Sequence, residues 1–172
     1  MNLIGIAGKK RSGKNTVADI IKSLTTTEVV QHAFADALKD EVAKACGVSR
    51  DFIEKNKPAF RLILQGWGTE FRRRLCTPDY WEIRLAKKIL SAPDECIAIV
   101  TDVRFPSEAD LIKRCGGTLV CVKRPMLDDT DSHASETSLD DYKHFDYVIE
   151  NNSTLNNLKE DVKRLLHNMK IK

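Results

Sequence analysis

Apolar residues occur along the chain in two arrangements, short continuous runs and stripes spaced three or four residues apart, and their order predicts strands alternating with helices. The run NLIGIA at residues 2–7 ends at Gly8, after which Val17, Ile20, Ile21 and Leu24 recur at helical spacing. Strand, glycine loop and helix follow from that. A second strand is expected near residues 29–34, then a helix from about Asp36 to Cys46 that Gly47 stops, with Ser49 capping a brief helix beyond it. From Pro58 onward, Phe60, Leu64, Trp67, Phe71 and Leu75 form one apolar stripe expected in the core. Arg61, Gln65, Thr69 and Arg72 fall within about 80° of one another on the same helix and leave a polar face open to a ligand. Thr77-Pro78-Asp79 starts a further helix on which Tyr80, Ile83, Ala86, Ile89 and Leu90 continue the period.

The second half repeats the scheme. CIAIVT at 96–101 reads as a buried strand, Pro106 opens a helix that ends at Gly116-Gly117, and TLVCV at 118–122 is the next strand. A polar stretch without periodicity then runs from about Arg124 to Lys143 and reads as a lid or loop. DYVIE leads through Asn151, Asn152 and Ser153 into a last helix with Leu155, Leu158, Val162, Leu165 and Leu166 facing inward. Such alternation predicts an α/β fold with a doubly wound parallel sheet flanked by helices.

Composition narrows the class without changing that picture. At 172 residues, 42% of them hydrophobic and 31% charged, the chain suits one globular domain, residues 1–172. No apolar run is long enough to span a bilayer, and the basic residues of MNLIGIAGKK follow the apolar stretch, the reverse of a signal peptide; a cytoplasmic location without membrane contact is expected. Five cysteines without CxxC spacing read as buried free thiols. A net charge of +3 and 6% aromatic residues argue against a nucleic-acid-binding module, while Lys9-Lys10-Arg11 and Arg72-Arg73-Arg74 point to local anion binding.

Chemistry concentrates at Gly8-Lys9-Lys10-Arg11-Ser12-Gly13-Lys14, the GxxxxGK core of a phosphate-binding loop (P-loop) placed between a strand and a helix. Glycines let the backbone curl until successive N–H groups face one anion, and the helix that follows adds the positive end of its dipole. Gly8, Lys10, Arg11, Ser12, Gly13, Lys14, Asn15 and Thr16 are therefore the donor-nucleotide candidates, with Lys14 reaching the β- and γ-phosphates of ATP. Asn15 stands where Ser or Thr normally gives Mg²⁺ a hydroxyl, and Thr16 comes one residue later; either is a candidate metal ligand. Asp102, just past an apolar strand, is placed to hold magnesium or its waters, and Arg104 follows it. His32, His144 and His167 lack ligand spacing and read as ordinary residues.

Together GIAGKKRSGKNT, LQGWGTEFRR, VTDVRFPSEAD, DSHASE and DYVIENNSTLNNL resemble the phage-type deoxynucleoside monophosphate kinases from about Ile4 to Leu165. The resemblance implies an adenylate-kinase-like P-loop NTPase fold with a short lid at about 124–143. ATP would lie on the glycine loop, and a nucleoside monophosphate would be held by a helical region at about 36–92. It makes Lys14 the phosphate lysine, Arg72 the acceptor-phosphate ligand, Arg104 a further phosphate contact and Asp102 the acidic residue near the metal. Arg124, His133 and Glu136 would belong to the lid, Asn152 to the donor site, and Asn15 replaces an aspartate often found there. A homodimer is left open. Animal-type phosphomevalonate kinases share similar loop, WGxExR and SDxR segments, but DSHASE, TDVRFPSEAD and GWGTEFRR are closer to the nucleotide kinases. A non-catalytic guanine-nucleotide switch fits less well: Asn56-Lys57-Pro58-Ala59 lacks the acidic residue of the guanine-reading motif, and no DxxG follows a strand.

Overall fold

The computed structural model describes residues 1–125 and 133–171. The chain divides into two compact units, Met1–His32 with Ser91–Lys172, and Ala33–Leu90. The first unit holds five parallel strands, β1 (Asn2–Ala7), β2 (Val29–His32), β3 (Ile97–Val103), β4 (Thr118–Lys123) and β5 (Tyr147–Glu150), in the order β2-β3-β1-β4-β5. Central β1 pairs Ile4 with Ile99 of β3 on one side and with Thr118 of β4 on the other. The chain leaves β1 for β2 at one edge and later passes from β3 across β1 to β4 on the other side, so the carboxyl end of β1 lies at the switch point where open α/β sheets bind ligands.

Helices of the first unit are α1 (Lys14–Leu24), α6 (Pro106–Arg114), α7 (Ala134–Thr137) and α8 (Leu155–Asn168). One sheet face, carrying Ile4, Ile6, Ile97, Ile99, Val120 and Val122, packs with Val17 and Ile21 of α1 and with Leu158, Val162 and Leu165 of α8. Each fully buried Ile, Val or Leu side chain is worth about 1.5–3 kcal/mol, so this layer holds the loop after β1 in place. Leu155, expected to face inward, opens α8 and is 63% exposed, since the first turn projects past the packed layer. Strand β3 runs on to Val103, which puts Asp102 within the strand's last residues instead of beyond it.

The second unit is helical: α2 (Phe34–Cys46), α3 (Arg50–Lys55), α4 (Lys57–Gln65), a π-helical segment (Gly66–Cys76) and α5 (Tyr80–Leu90). Gly47 in left-handed conformation ends α2, and the Ser49 side chain caps α3 by accepting from the Phe52 N–H. Val42, Ala43 and Ile53 form its core, with Phe60, Leu64 and Trp67 packed against them.

The apolar stripe expected over residues 60–75 holds only in its first half. After Gly66 the helix changes to i→i+5 bonding, as in Thr77 N–H to Arg72 carbonyl at 3.0 Å, and the wider turn carries later residues off the 3.6-residue period. Phe71 is exposed and Leu75 is 74% exposed. On α5 the buried face is Trp81, Glu82, Leu85 and Ile89, whereas Ile83 and Leu90 are exposed; burial of Glu82, paired with Arg73, turned the helix away from the apolar reading. All five cysteines are free, but only Cys96 and Cys121 are buried, because Cys46, Cys76 and Cys115 sit at or just beyond helix ends. No helix among the described residues is long and apolar enough to cross a membrane.

Candidate active site

The loop after β1 is shaped by two glycines that no other residue replaces without strain. Gly8 has φ 142° and a Cβ there would lie 2.3 Å from the Val122 carbonyl oxygen; Gly13 has φ 107° and its Cβ would lie 2.4 Å from Asn151 Nδ2. Gly13 is also the N-cap of α1 and gives no side-chain cap, so no capping side chain takes the first-turn N–H groups that a helix start offers to an anion. Arg11 takes φ 63°, a left-handed residue that completes the curl. Ser12 is fully buried, and its Oγ has no hydrogen-bond partner among the described residues.

Lys14 folds back over this loop. Its Nζ donates to the carbonyls of Gly8 and Lys9, each at 2.7 Å. Burial, with repulsion from Arg104 adding to it, lowers its pKa to about 8, against the opposing pull of Glu136 and Asp102. Asp102 and Arg104 thus both act electrostatically on the loop lysine. Asn15 is exposed on the first turn of α1 and Thr16 is half-buried beside it.

Glu136 on α7 closes the constellation. Its carboxylate accepts the Lys10 backbone N–H at 2.9 Å and pairs with the Arg104 guanidinium, which also donates to the Ser135 carbonyl at 3.4 Å. His133 caps α7, its Nδ1 accepting the Ser135 N–H at 3.2 Å. Next to the loop lies a cavity of about 680 Å³ lined by Gly8, Ser12, Arg104, Arg124, Glu136 and Tyr142, among others, a size suited to a nucleotide-like ligand. Of the expected lid, residues 126–132, including Asp131 and Ser132 of DSHASE, lie outside the described residues; Arg124 is exposed at its beginning.

In the second unit the polar face expected around Arg72 is built from different neighbours. Arg72 Nε donates to Glu41 Oε2 at 2.7 Å, Trp67 Nε1 donates to the same oxygen at 3.1 Å, and the Tyr80 hydroxyl donates to Oε1 at 2.6 Å. Burial alone would raise the Glu41 pKa, but these hydrogen bonds from Tyr80, Trp67 and Arg72 outweigh it and hold the carboxyl below its ordinary value. Trp67 therefore serves the core and anchors Glu41. Arg73 is structural, donating to buried Glu82 at 2.7 Å, and Arg74 is solvated beside Glu70.

Comparison with known proteins gives the family and the fold. The profile of the deoxynucleotide monophosphate kinases matches residues 2–59 and 47–162. The chain belongs to the deoxynucleotide monophosphate kinase family. A protein of Acanthamoeba polyphaga mimivirus, provisionally named a deoxynucleotide monophosphate kinase, is 30% identical over 178 aligned residues that cover 90% of this chain and 91% of that one. Among solved structures, shikimate kinase from Aquifex aeolicus (18% identical, TM-score 0.51, covering 96% of each chain) shares the fold. So does a sugar kinase from Janibacter (15% identical, TM-score 0.56, covering 99% of this chain and 95% of that one). The architecture is that of the P-loop kinases, and the protein is a nucleotide kinase, a phosphotransferase.

Within this kinase the expected donor residues Gly8, Lys10, Arg11, Ser12, Gly13, Lys14, Asn15 and Thr16 share one loop and helix start, and Asp102 near the end of β3 and Arg104 just after it act on Lys14 of that loop. Asn152 is exposed, and the hydrogen bond to the loop comes from its neighbour Asn151, whose Nδ2 donates to the Ser12 carbonyl at 2.9 Å. Glu41 was not singled out by the sequence, and Tyr80 was read only as part of the apolar period of its helix.

Proposed function

We propose that the protein transfers the γ-phosphoryl group of ATP to a deoxynucleoside monophosphate, giving a deoxynucleoside diphosphate and ADP. The observation that carries this reading is the glycine loop with a carboxylate already seated on its Lys10 N–H. A backbone donor that holds one anion in a partly buried setting is suited to a phosphate oxygen, and family membership selects the nucleotide as acceptor over phosphomevalonate.

Phosphoryl transfer asks for alignment and charge neutralisation more than for a base. The loop amides and Lys14 hold the β- and γ-phosphates; Lys14 exchanges its two carbonyl partners for phosphate oxygens. Arg72 holds the acceptor phosphate. Arg104, once free of Glu136, and Arg124 at the cavity edge neutralise charge that develops on the transferred group. The cavity limits water, which competes as acceptor.

Magnesium fits the residues present. Among the described residues no three His, Cys, Asp or Glu gather into a metal cage, yet Mg²⁺ in such enzymes keeps most of its waters and takes one or two carboxylates with the phosphates. Asp102, with the first-turn groups of Asn15 or Thr16, would supply that share. When bound, the ion would add positive charge against the negative charge of the phosphates. The reading is tested by following ADP and the phosphorylated product from ATP with and without a deoxynucleoside monophosphate. Product that requires the acceptor supports it; ATP hydrolysis indifferent to the acceptor overturns it.

A further inference from the structure

The second unit contains one carboxylate that collects nearly all polar contacts of the aromatic and basic side chains around it. Glu41, in the middle of α2, takes Arg72 Nε and Trp67 Nε1 on one oxygen, and Tyr80 OH on the other. Arg84, one turn after Tyr80 on α5, donates to the Tyr80 hydroxyl at 3.0 Å and approaches the same Glu41 oxygen at 3.4 Å. The two guanidinium groups flank one ring, with Arg72 Cζ 4.7 Å and Arg84 Cζ 5.4 Å from the Tyr80 centroid. Arg72 also lies 5.1 Å from the Phe71 ring, so its plane is held between aromatic faces.

Charge does not balance in this cluster. Two arginines share one carboxylate, and Nε is the Arg72 nitrogen that Glu41 occupies. The outer edge of Arg72 meets only the weak acceptor Cys76 Sγ at 3.8 Å among the described residues. Arg84 is half exposed, so its remaining donors face water. A site with a surplus positive charge, two preset donor forks and a half-exposed rim suits a dianionic phosphate monoester, whose oxygens take several N–H groups at once.

We propose that Glu41 is the positioning residue of the acceptor site, fixing Arg72 directly and recruiting Arg84 through Tyr80, so that the acceptor phosphate is gripped by two arginines. This deepens the kinase reading and rests on it. Aromatic stacking and the Glu41 bonds restrict both side chains before the ligand arrives, which reduces the ordering cost of binding. Glu41 touches no phosphate; it acts through the arginines.

Three variants, Arg84→Ala, Arg84→Lys and Glu41→Gln, test the assignment, with circular dichroism and nucleotide-donor affinity as checks that each is folded. Titration compares a deoxynucleoside monophosphate with the same deoxynucleoside lacking phosphate, and steady-state kinetics give acceptor KM and kcat. Arg84→Ala is expected to raise the acceptor KM about tenfold or more and to shrink the monophosphate's advantage over the nucleoside by a similar factor. Donor affinity should not change. Arg84→Lys should restore part of the loss as a charge without the fork. Glu41→Gln, which keeps the side chain's shape, should weaken the monophosphate and not the nucleoside.

An Arg84→Ala protein with wild-type acceptor KM and wild-type monophosphate advantage overturns the two-arginine grip while the kinase reading stands. Unchanged or tighter monophosphate binding by Glu41→Gln overturns the positioning role. If the wild type uses no deoxynucleoside monophosphate, the kinase reading falls first, and the same variants read with whichever phosphate ester it does use decide the grip. A wild type that uses none overturns both.

Discussion

The Glu136 carboxylate accepts the backbone N–H of Lys10 at 2.9 Å, so a loop donor suited to phosphate is held by an anion of the protein itself. The same carboxylate pairs with Arg104, and its side chain is 4% exposed. A nucleotide phosphate and Glu136 therefore draw on the same two donors, the Lys10 N–H and the Arg104 guanidinium. Replacement by glutamine keeps an acceptor for Lys10 but removes the charge. Glu136→Gln should bind ATP more tightly by about 1 kcal/mol, roughly fivefold, as expected when a charge-assisted competitor becomes a neutral one. A fluorescent ATP analogue titrated without acceptor measures this, and weaker binding by the variant would show that Glu136 supports the donor site.

Lys14 is predicted to be indispensable for transfer and dispensable for folding. Its contacts in the free protein are two loop carbonyls, and its charge matters most where phosphate charge develops. Lys14→Ala should lower kcat by about a hundredfold or more with near-normal thermal stability. Wild-type turnover in the folded variant would remove the loop from the chemistry.

The lowered Lys14 pKa gives a pH signature with a definite sign. In the free protein burial and Arg104 bring it to about 8, so the amine loses its charge as pH rises through that value. Bound phosphates favour the charged amine and raise its pKa. Donor binding should then take up a proton from about pH 8 to the ordinary lysine range near 10, and apparent affinity should fall as pH rises through that window. Calorimetry in two buffers of different ionisation enthalpy reads the uptake. Lys14→Arg, charged throughout, should show none; equal uptake by wild type and Lys14→Arg would assign the proton elsewhere.

Arg73 and Glu82 belong to stability. The pair is nearly buried, with Arg73 also donating to the Pro78 carbonyl at 3.1 Å, and removing one partner strands the other charge. Glu82→Ala should cost about 3 kcal/mol and lower Tm by roughly 6–12 °C. Acceptor KM measured at low temperature should be unchanged; a normal melt with a raised KM would move this pair into the binding site.

How much of this was legible in the sequence differs by unit. Where strands run through a buried sheet and α1 and α8 cover it, local pattern and tertiary role agree, so the loop at Gly8–Lys14 could be read directly from residues 2–24. In the helical unit the agreement fails at Gly66, because bonding to i+5 breaks the period that placed Phe71 and Leu75 inside. Glu82 was hidden for a related reason: a charged residue is expected at the surface until its partner, nine residues earlier, is known. Glu41 carried no local signal, since Arg72 and Tyr80 lie 31 and 39 residues away in sequence. Asn151 and Asn152 are alike in composition, and only the turn after β5 decides between them.

Whether a phosphate-bearing nucleotide is the acceptor is read from a panel of acceptors. Wild-type protein with ATP and magnesium is offered each common ribo- and deoxynucleoside monophosphate and 5-phosphomevalonate, while ADP and the new phosphorylated product are followed together. One or more deoxynucleoside monophosphates should be converted to the diphosphate with ADP released in equal amount, and 5-phosphomevalonate should be left unchanged, because a site with hydrogen-bonding groups for a base leaves them unpaired against an aliphatic acceptor. Product from 5-phosphomevalonate alone, or ADP released with no phosphorylated acceptor, would rule out a nucleotide acceptor.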